Sequence, residues 1–173
     1  MRKSWLVALV VGASLAFAGA AYGADGNSAP DPAKATATVK AERLNVRAVS
    51  RQTAGATRAY TTASCREATW RVSGHNLLGW RLWSYVRWVR WCWSGSTLTS
   101  VSTRAWGEVH MVGWAFRGTI SSWSAGGAGR GSYRVWSQGH FCLVEYFSCI
   151  QNVYPWIDVT VLPGGGWRWS WGG

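Results

Sequence analysis

The sequence predicts an all-β fold: an antiparallel β-sandwich, or a Greek-key barrel, held by two disulfides behind a flexible N-terminal tail. Three observations predict it. Ile157-Asp158-Val159-Thr160-Val161 and Trp167-Arg168-Trp169-Ser170-Trp171 alternate apolar with polar side chains at the period of a half-buried strand. Glycine and serine punctuate short runs of aromatic and β-branched residues, and no stretch joins a helical period to capping signals. The 173-residue chain has four cysteines and begins like an exported protein, which reads as two disulfides.

The N-terminus carries the export signal. Met1-Arg2-Lys3 is basic, Trp5 to Phe17 is an apolar stretch, and small residues follow from Ala18 to Ala24. That order is the order of a secretory signal peptide, and the stretch is shorter than the roughly 20 residues of a membrane-spanning helix. Cleavage is expected after Gly23 or Ala20, leaving about 150 residues, enough for one domain with a core. The expected divisions are a signal peptide over 1–23, a linker or disordered tail over 24–62 and a Trp-rich β domain over 63–173. The linker assignment rests on Ala, Thr, Ser and Pro without a sustained apolar period. Within it, Val39-Lys40-Ala41-Glu42-Arg43-Leu44-Asn45-Val46-Arg47 resembles the opening strand of bacterial SH3-like domains. The strands that should follow are missing, so the fragment stays with the linker.

From Cys65 onward the expected strands run in order. The first lies near Thr69–Ser73. Trp80 to Trp93 comes next; Trp80, Trp83, Trp88 and Trp91 would share a helix side, but Arg87 interrupts that stripe and Ser94-Gly95 supplies a turn. A strand turning into Leu98–Ser102 fits better. Further strands are expected at Val109–Phe116, Tyr133–Val144 and Gln151–Tyr154, with Gly113, Gly118 and Gly139 as bulges or bends and Ser124–Ser132 as a glycine-rich loop. Of the three cysteine pairings, Cys65–Cys92 with Cys142–Cys149 is favoured: the first ties two strands, the second clamps a hairpin. Loop-closure entropy makes them worth roughly 3.5 and 2.5 kcal/mol. Metal binding is disfavoured, because Cys142 and Cys149 are too widely spaced for a zinc motif and no His pair has the right separation.

From Cys65 to Gly173 the chain resembles small secreted Trp-rich all-β proteins of high-GC Gram-positive bacteria. The carrying stretches are Val89-Arg90-Trp91-Cys92-Trp93-Ser94-Gly95-Ser96, Gly113-Trp114-Ala115-Phe116-Arg117-Gly118, Ser137-Gln138-Gly139-His140-Phe141-Cys142 and Tyr154-Pro155-Trp156-Ile157. The resemblance implies an all-β secreted domain and assigns no activity.

Candidates for catalysis are few. Of the carboxylates, Glu67, Glu108, Glu145 and Asp158 lie in the expected β domain and none are close in sequence; Glu108 and Glu145 would have to converge in space to form a glycosidase pair. His75, His110 and His140 have no serine elbow to serve, and Cys142 beside His140 is better used in a disulfide. Gly126-Gly127-Ala128-Gly129-Arg130-Gly131 lacks the lysine and the strand–loop–helix context of a phosphate loop. No catalytic residue, cofactor or metal is therefore expected.

The formal charge of +11 is carried almost wholly by arginine, a bias that a GC-rich genome also produces. Export disfavours nucleic acid as a partner. The abnormal feature is fifteen tryptophans, fourteen of them after the signal peptide, more than one core comfortably hides. The leading expectation is a secreted, non-enzymatic module that binds cell-wall or environmental polysaccharide through exposed indoles. The candidates are Trp167, Trp169 and Trp171, with Trp83, Arg87 and Trp91 from the dense segment. Alternatives are a cationic protein acting on anionic membrane surfaces, where indoles sit at headgroup level, an inhibitor of a secreted enzyme, and a structural protein.

Overall fold

The computed structural model describes residues 33–49 and 63–173, and the signal peptide expected over 1–23 lies outside them. The described residues form nine strands: β1 (Thr38–Val49), β2 (Ser64–His75), β3 (Arg81–Ser94), β4 (Thr97–Val109), β5 (Trp114–Gly126), β6 (Tyr133–Glu145), β7 (Ser148–Val153), β8 (Trp156–Val161) and β9 (Trp167–Gly172). A 3-10 turn, Pro163–Gly165, joins the last two. One four-stranded sheet has the order β1-β2-β3-β4, and a five-stranded sheet the order β5-β6-β8-β9 with β7 also paired to β6. Every pairing is antiparallel. The architecture is the sandwich, and its connections are an up-and-down meander rather than a Greek key.

Cross-strand partners share a face, so register assigns the layers. In the first sheet the inward rows are Ala68–Val89–Thr103, Trp70–Arg87–Ala105 and Val72–Tyr85–Gly107. In the second they include Val135–Val159–Trp169 and Tyr133–Val161–Trp167. Trp83 stacks on Phe141 at 5.0 Å across the layers, and Trp167 meets Trp70 edge-on at 5.8 Å. Two glycines make room for these rings. A Cβ on Gly74 would lie 2.2 Å from the Trp83 indole, and one on Gly107 2.3 Å from the Phe116 ring. Both disulfides form as expected, Cys65–Cys92 across β2 and β3 and Cys142–Cys149 across the β6–β7 hairpin.

Three expectations are corrected. Residues 38–49 are not linker: they form β1, paired to nearly all of β2, with Val39 and Ala41 packed on the core. The strand is polar because it is an edge strand with only one face covered, and that hid it among the Ala/Thr/Ser-rich residues. Val109–Phe116 is not one strand. The chain crosses from one sheet to the other at His110–Gly113, where Gly113 takes a positive φ of 96°. Gly118 marks a register shift, and Gly139, beneath Tyr85, pairs at the edge of a second one between Thr119 and Ser121. Finally, β5 runs on through Ser124 to Gly126, so the glycine-rich loop starts later than expected.

Candidate functional site

Register also decides which indoles can meet a ligand. Trp83 and Trp91 stand on the inward face of β3 and are fully buried. Their N–H groups are spent internally, Trp83 Nε1 donating to Thr36 Oγ1 at 2.9 Å and Trp91 Nε1 to the Leu162 carbonyl at 3.2 Å. Arg87 shares that face and is 4% exposed. These three belong to the core and present no open surface, which corrects their selection as ligand contacts. Trp167 and Trp169 are half-buried against Trp70, and Trp171, at the end of the same row, is exposed. The alternation in Trp167–Trp171 is real, but its indoles face the opposite sheet.

The outward indoles lie elsewhere. On the outer face of the first sheet, β3 and β4 set Trp88 opposite Arg104 and Val86 opposite Trp106. Trp88, Arg104 and Trp106 line a groove of about 480 Å³. Val86 is buried although it stands on this outer face opposite Trp106, so the surface carries a small apolar layer of its own. Trp106 Nε1 donates to Glu108 Oε1 at 2.9 Å, which fixes the indole, and Arg104 lies 5.7 Å from its ring centroid. The sequence signal for this strand was Arg104-Ala105-Trp106-Gly107-Glu108, large polar and aromatic residues alternating with small ones. Gly107 is small because the Phe116 ring occupies the layer beneath it.

A polar row continues from the indoles. Ser84 Oγ lies 3.0 Å from Ser73 Oγ and 2.9 Å from His110 Nε2, and Glu108 Oε2 is 3.7 Å from that same nitrogen. A serine nucleophile relay needs the acid on the other ring nitrogen and an accessible hydroxyl. Here one nitrogen meets both groups and Ser84 is fully buried, so the arrangement holds the sheet face together and relays no proton. Burial pushes His110 below its ordinary value of 6.5, while Glu108 works the other way. Glu42 bridges Arg71 at 3.3 Å and Arg81 at 3.5 Å beside this row. Glu108 lies near the end of β4 in one sheet and Glu145 ends β6 in the other.

The outer face of the second sheet is engaged differently. Asp158 accepts from Arg134 Nε at 3.0 and 3.1 Å, and also from its Nη2, while the same guanidinium covers Trp123 at 4.9 Å. A groove of about 460 Å³ there is lined by Arg134, Asp158, Arg168 and Trp169 among others. Its central charges already neutralise one another. Among the described residues no cluster of His, Cys, Asp and Glu is suited to a metal ion. Compared with protein-family models, with curated proteins and with solved structures, the chain finds no match.

Proposed function

We propose that the protein is a secreted carbohydrate-binding module whose ligand, a cell-wall or environmental polysaccharide, lies along the outer face of the β1–β4 sheet. The observation that carries this reading is the groove between Trp88 and Trp106. Sugar rings present apolar C–H faces, which pack against indoles, and hydroxyls, which need polar neighbours; Arg104 and Glu108 stand beside the indoles as donor and acceptor. The indoles sit on rigid paired strands and Trp106 is held by its bond to Glu108, so binding loses little side-chain freedom. Export through residues 1–23 belongs to the same proposal, and the two disulfides suit an oxidising compartment outside the cell.

The test is titration of the oxidised protein with soluble cell-wall and plant polysaccharides, read by affinity electrophoresis and intrinsic fluorescence. Trp88→Ala and Trp106→Ala should each weaken binding by about tenfold or more. Trp171→Ala, in the row expected from sequence, should leave it unchanged. Binding lost on Trp171→Ala but kept without Trp88 moves the site to the other sheet, and no response to any polysaccharide overturns the reading.

A further inference from the structure

Antiparallel alternation brings three connections to one end of the sandwich: the β2–β3 loop, the β4–β5 crossing and the β6–β7 turn. They adjoin one another. His110 N donates to the Leu82 carbonyl at 2.9 Å, and Val144 N to the Gly113 carbonyl at 2.7 Å. Each tip carries large apolar side chains in the open: Leu77, Leu78 and Trp80 on the first, Val112 on the second, Tyr146 and Phe147 on the third. Their exposure runs from 59% at Trp80 to 104% at Phe147. Nothing among the described residues covers them.

Two features show that the display is built. Tyr146 and Phe147 both take positive φ, 46° and 67°, in the two-residue turn closing a hairpin whose strands are joined by Cys142–Cys149. Asn-Gly is the strain-free choice for such a turn, and two aromatic residues hold it against their own preference. The first tip is equally fixed: Asn76 accepts from Trp80 N through Oδ1 at 2.9 Å, and its backbone N–H donates to the Trp80 carbonyl at 3.0 Å. A backbone already fixed in this way has little ordering entropy left to lose when the tips are buried.

We propose that this end docks into the interfacial layer of an anionic lipid membrane. The side chains suit that medium, with Leu and Val for the acyl region and Trp and Tyr for the headgroup level. They form separate protrusions rather than a concave receptor for a folded partner. Lys34 and Arg117 are exposed close by: the Lys34 carbonyl accepts from Trp114 Nε1 at 2.9 Å, and Arg117 Nη2 reaches the Cys142 sulfur at 3.9 Å. The formal charge, +11 for the whole chain and +9 once Arg2 and Lys3 leave with the signal peptide, adds long-range attraction to anionic lipid.

The test is flotation of the oxidised protein, recovered from the medium of an exporting host, with vesicles of phosphatidylcholine alone or containing phosphatidylglycerol. Binding is expected to the anionic vesicles. The double variant Tyr146→Asn/Phe147→Gly, which suits the turn and therefore folds, should lower the apparent affinity by about tenfold or more. Leu77→Ser/Leu78→Ser should act in the same direction, and polysaccharide titration should stay as in the parent, separating this end from the indole groove. Parent protein that stays with the solvent, or variants that float as well as the parent, overturn the proposal. So does a dimer in sedimentation velocity that the double variant dissolves while vesicles bind neither form.

Discussion

Arg87 is the least compensated residue in the fold. It stands inward on β3 between Trp70 and Ala105, where the row pattern calls for an apolar side chain. Its Nη1 donates to Thr103 Oγ1 at 2.9 Å, its Nε is buried with no partner, and among the described residues no carboxylate comes within ion-pair distance. Burial pulls the guanidinium below its ordinary value, with Tyr85 and Tyr133 opposing, yet an arginine stays charged. A buried cation without a counter-charge is destabilising, and apolar replacement of buried ionic groups stabilises by about 1–4 kcal/mol in favourable cases. Arg87→Met should therefore raise the stability by about 1 kcal/mol or more, read from the urea midpoint. Thr103 keeps its bond to the Trp88 carbonyl in the variant, so no new orphan arises. A fall in stability would mean that an anion or ordered water compensates the charge in the folded protein. In the sequence Arg87 argued correctly against a helix, but the same polarity made it look outward-facing. Only the opposite sheet decides that question.

At the scale of elements, the β6–β7 turn sets stability against display. Left-handed backbone costs a residue with a side chain roughly 1–2 kcal/mol, and Tyr146 and Phe147 both adopt it. Tyr146→Asn/Phe147→Gly should raise the unfolding free energy by about 1 kcal/mol, measured by urea denaturation with the disulfides intact. An unchanged or lower value would show that the aromatic rings contribute packing that offsets the strain. Strands with one wet face were legible in the sequence: Ile157–Val161, Trp167–Trp171 and Tyr133–Val144 all appear in the fold, β6 running one residue further. β3 was legible as a strand but not by face, because Trp83, Tyr85, Val89 and Trp91 point inward while Leu82, Val86 and Cys92 are buried too. With large apolar residues at both parities, period two carries no direction. The indole groove stayed hidden for the same reason. Trp88 was one of several indoles on a strand of unknown facing, and Trp106 lay beyond Ser102, where the expected strand ended.

For the whole molecule, residues 33–49 are structural. β1 covers the free edge of β2, and Arg43 reaches over Trp167 of the other sheet at 4.9 Å. The residues just ahead of it satisfy two core indoles: Thr36 Oγ1 accepts from Trp83 Nε1, and the Lys34 carbonyl accepts from Trp114 Nε1, both at 2.9 Å. Thr36 N also donates to Gln151 at 2.9 Å, tying the segment to β7. A chain starting at residue 63, the boundary suggested by composition, loses these partners together. Each buried N–H left without an acceptor costs about 1–3 kcal/mol, and the uncovered apolar contacts of Val39 and Ala41 add to that. Such a chain should be at least about 3 kcal/mol less stable in urea than one starting at residue 33, and its β2 edge should promote association. Equal midpoints for the two chains would mean that water replaces both indole partners and that β1 is an accessory strand. The expected loss would instead make residues 33–49 part of the domain, because a sandwich with four buried tryptophans depends on this segment to satisfy the indole N–H groups of two of them, Trp83 and Trp114.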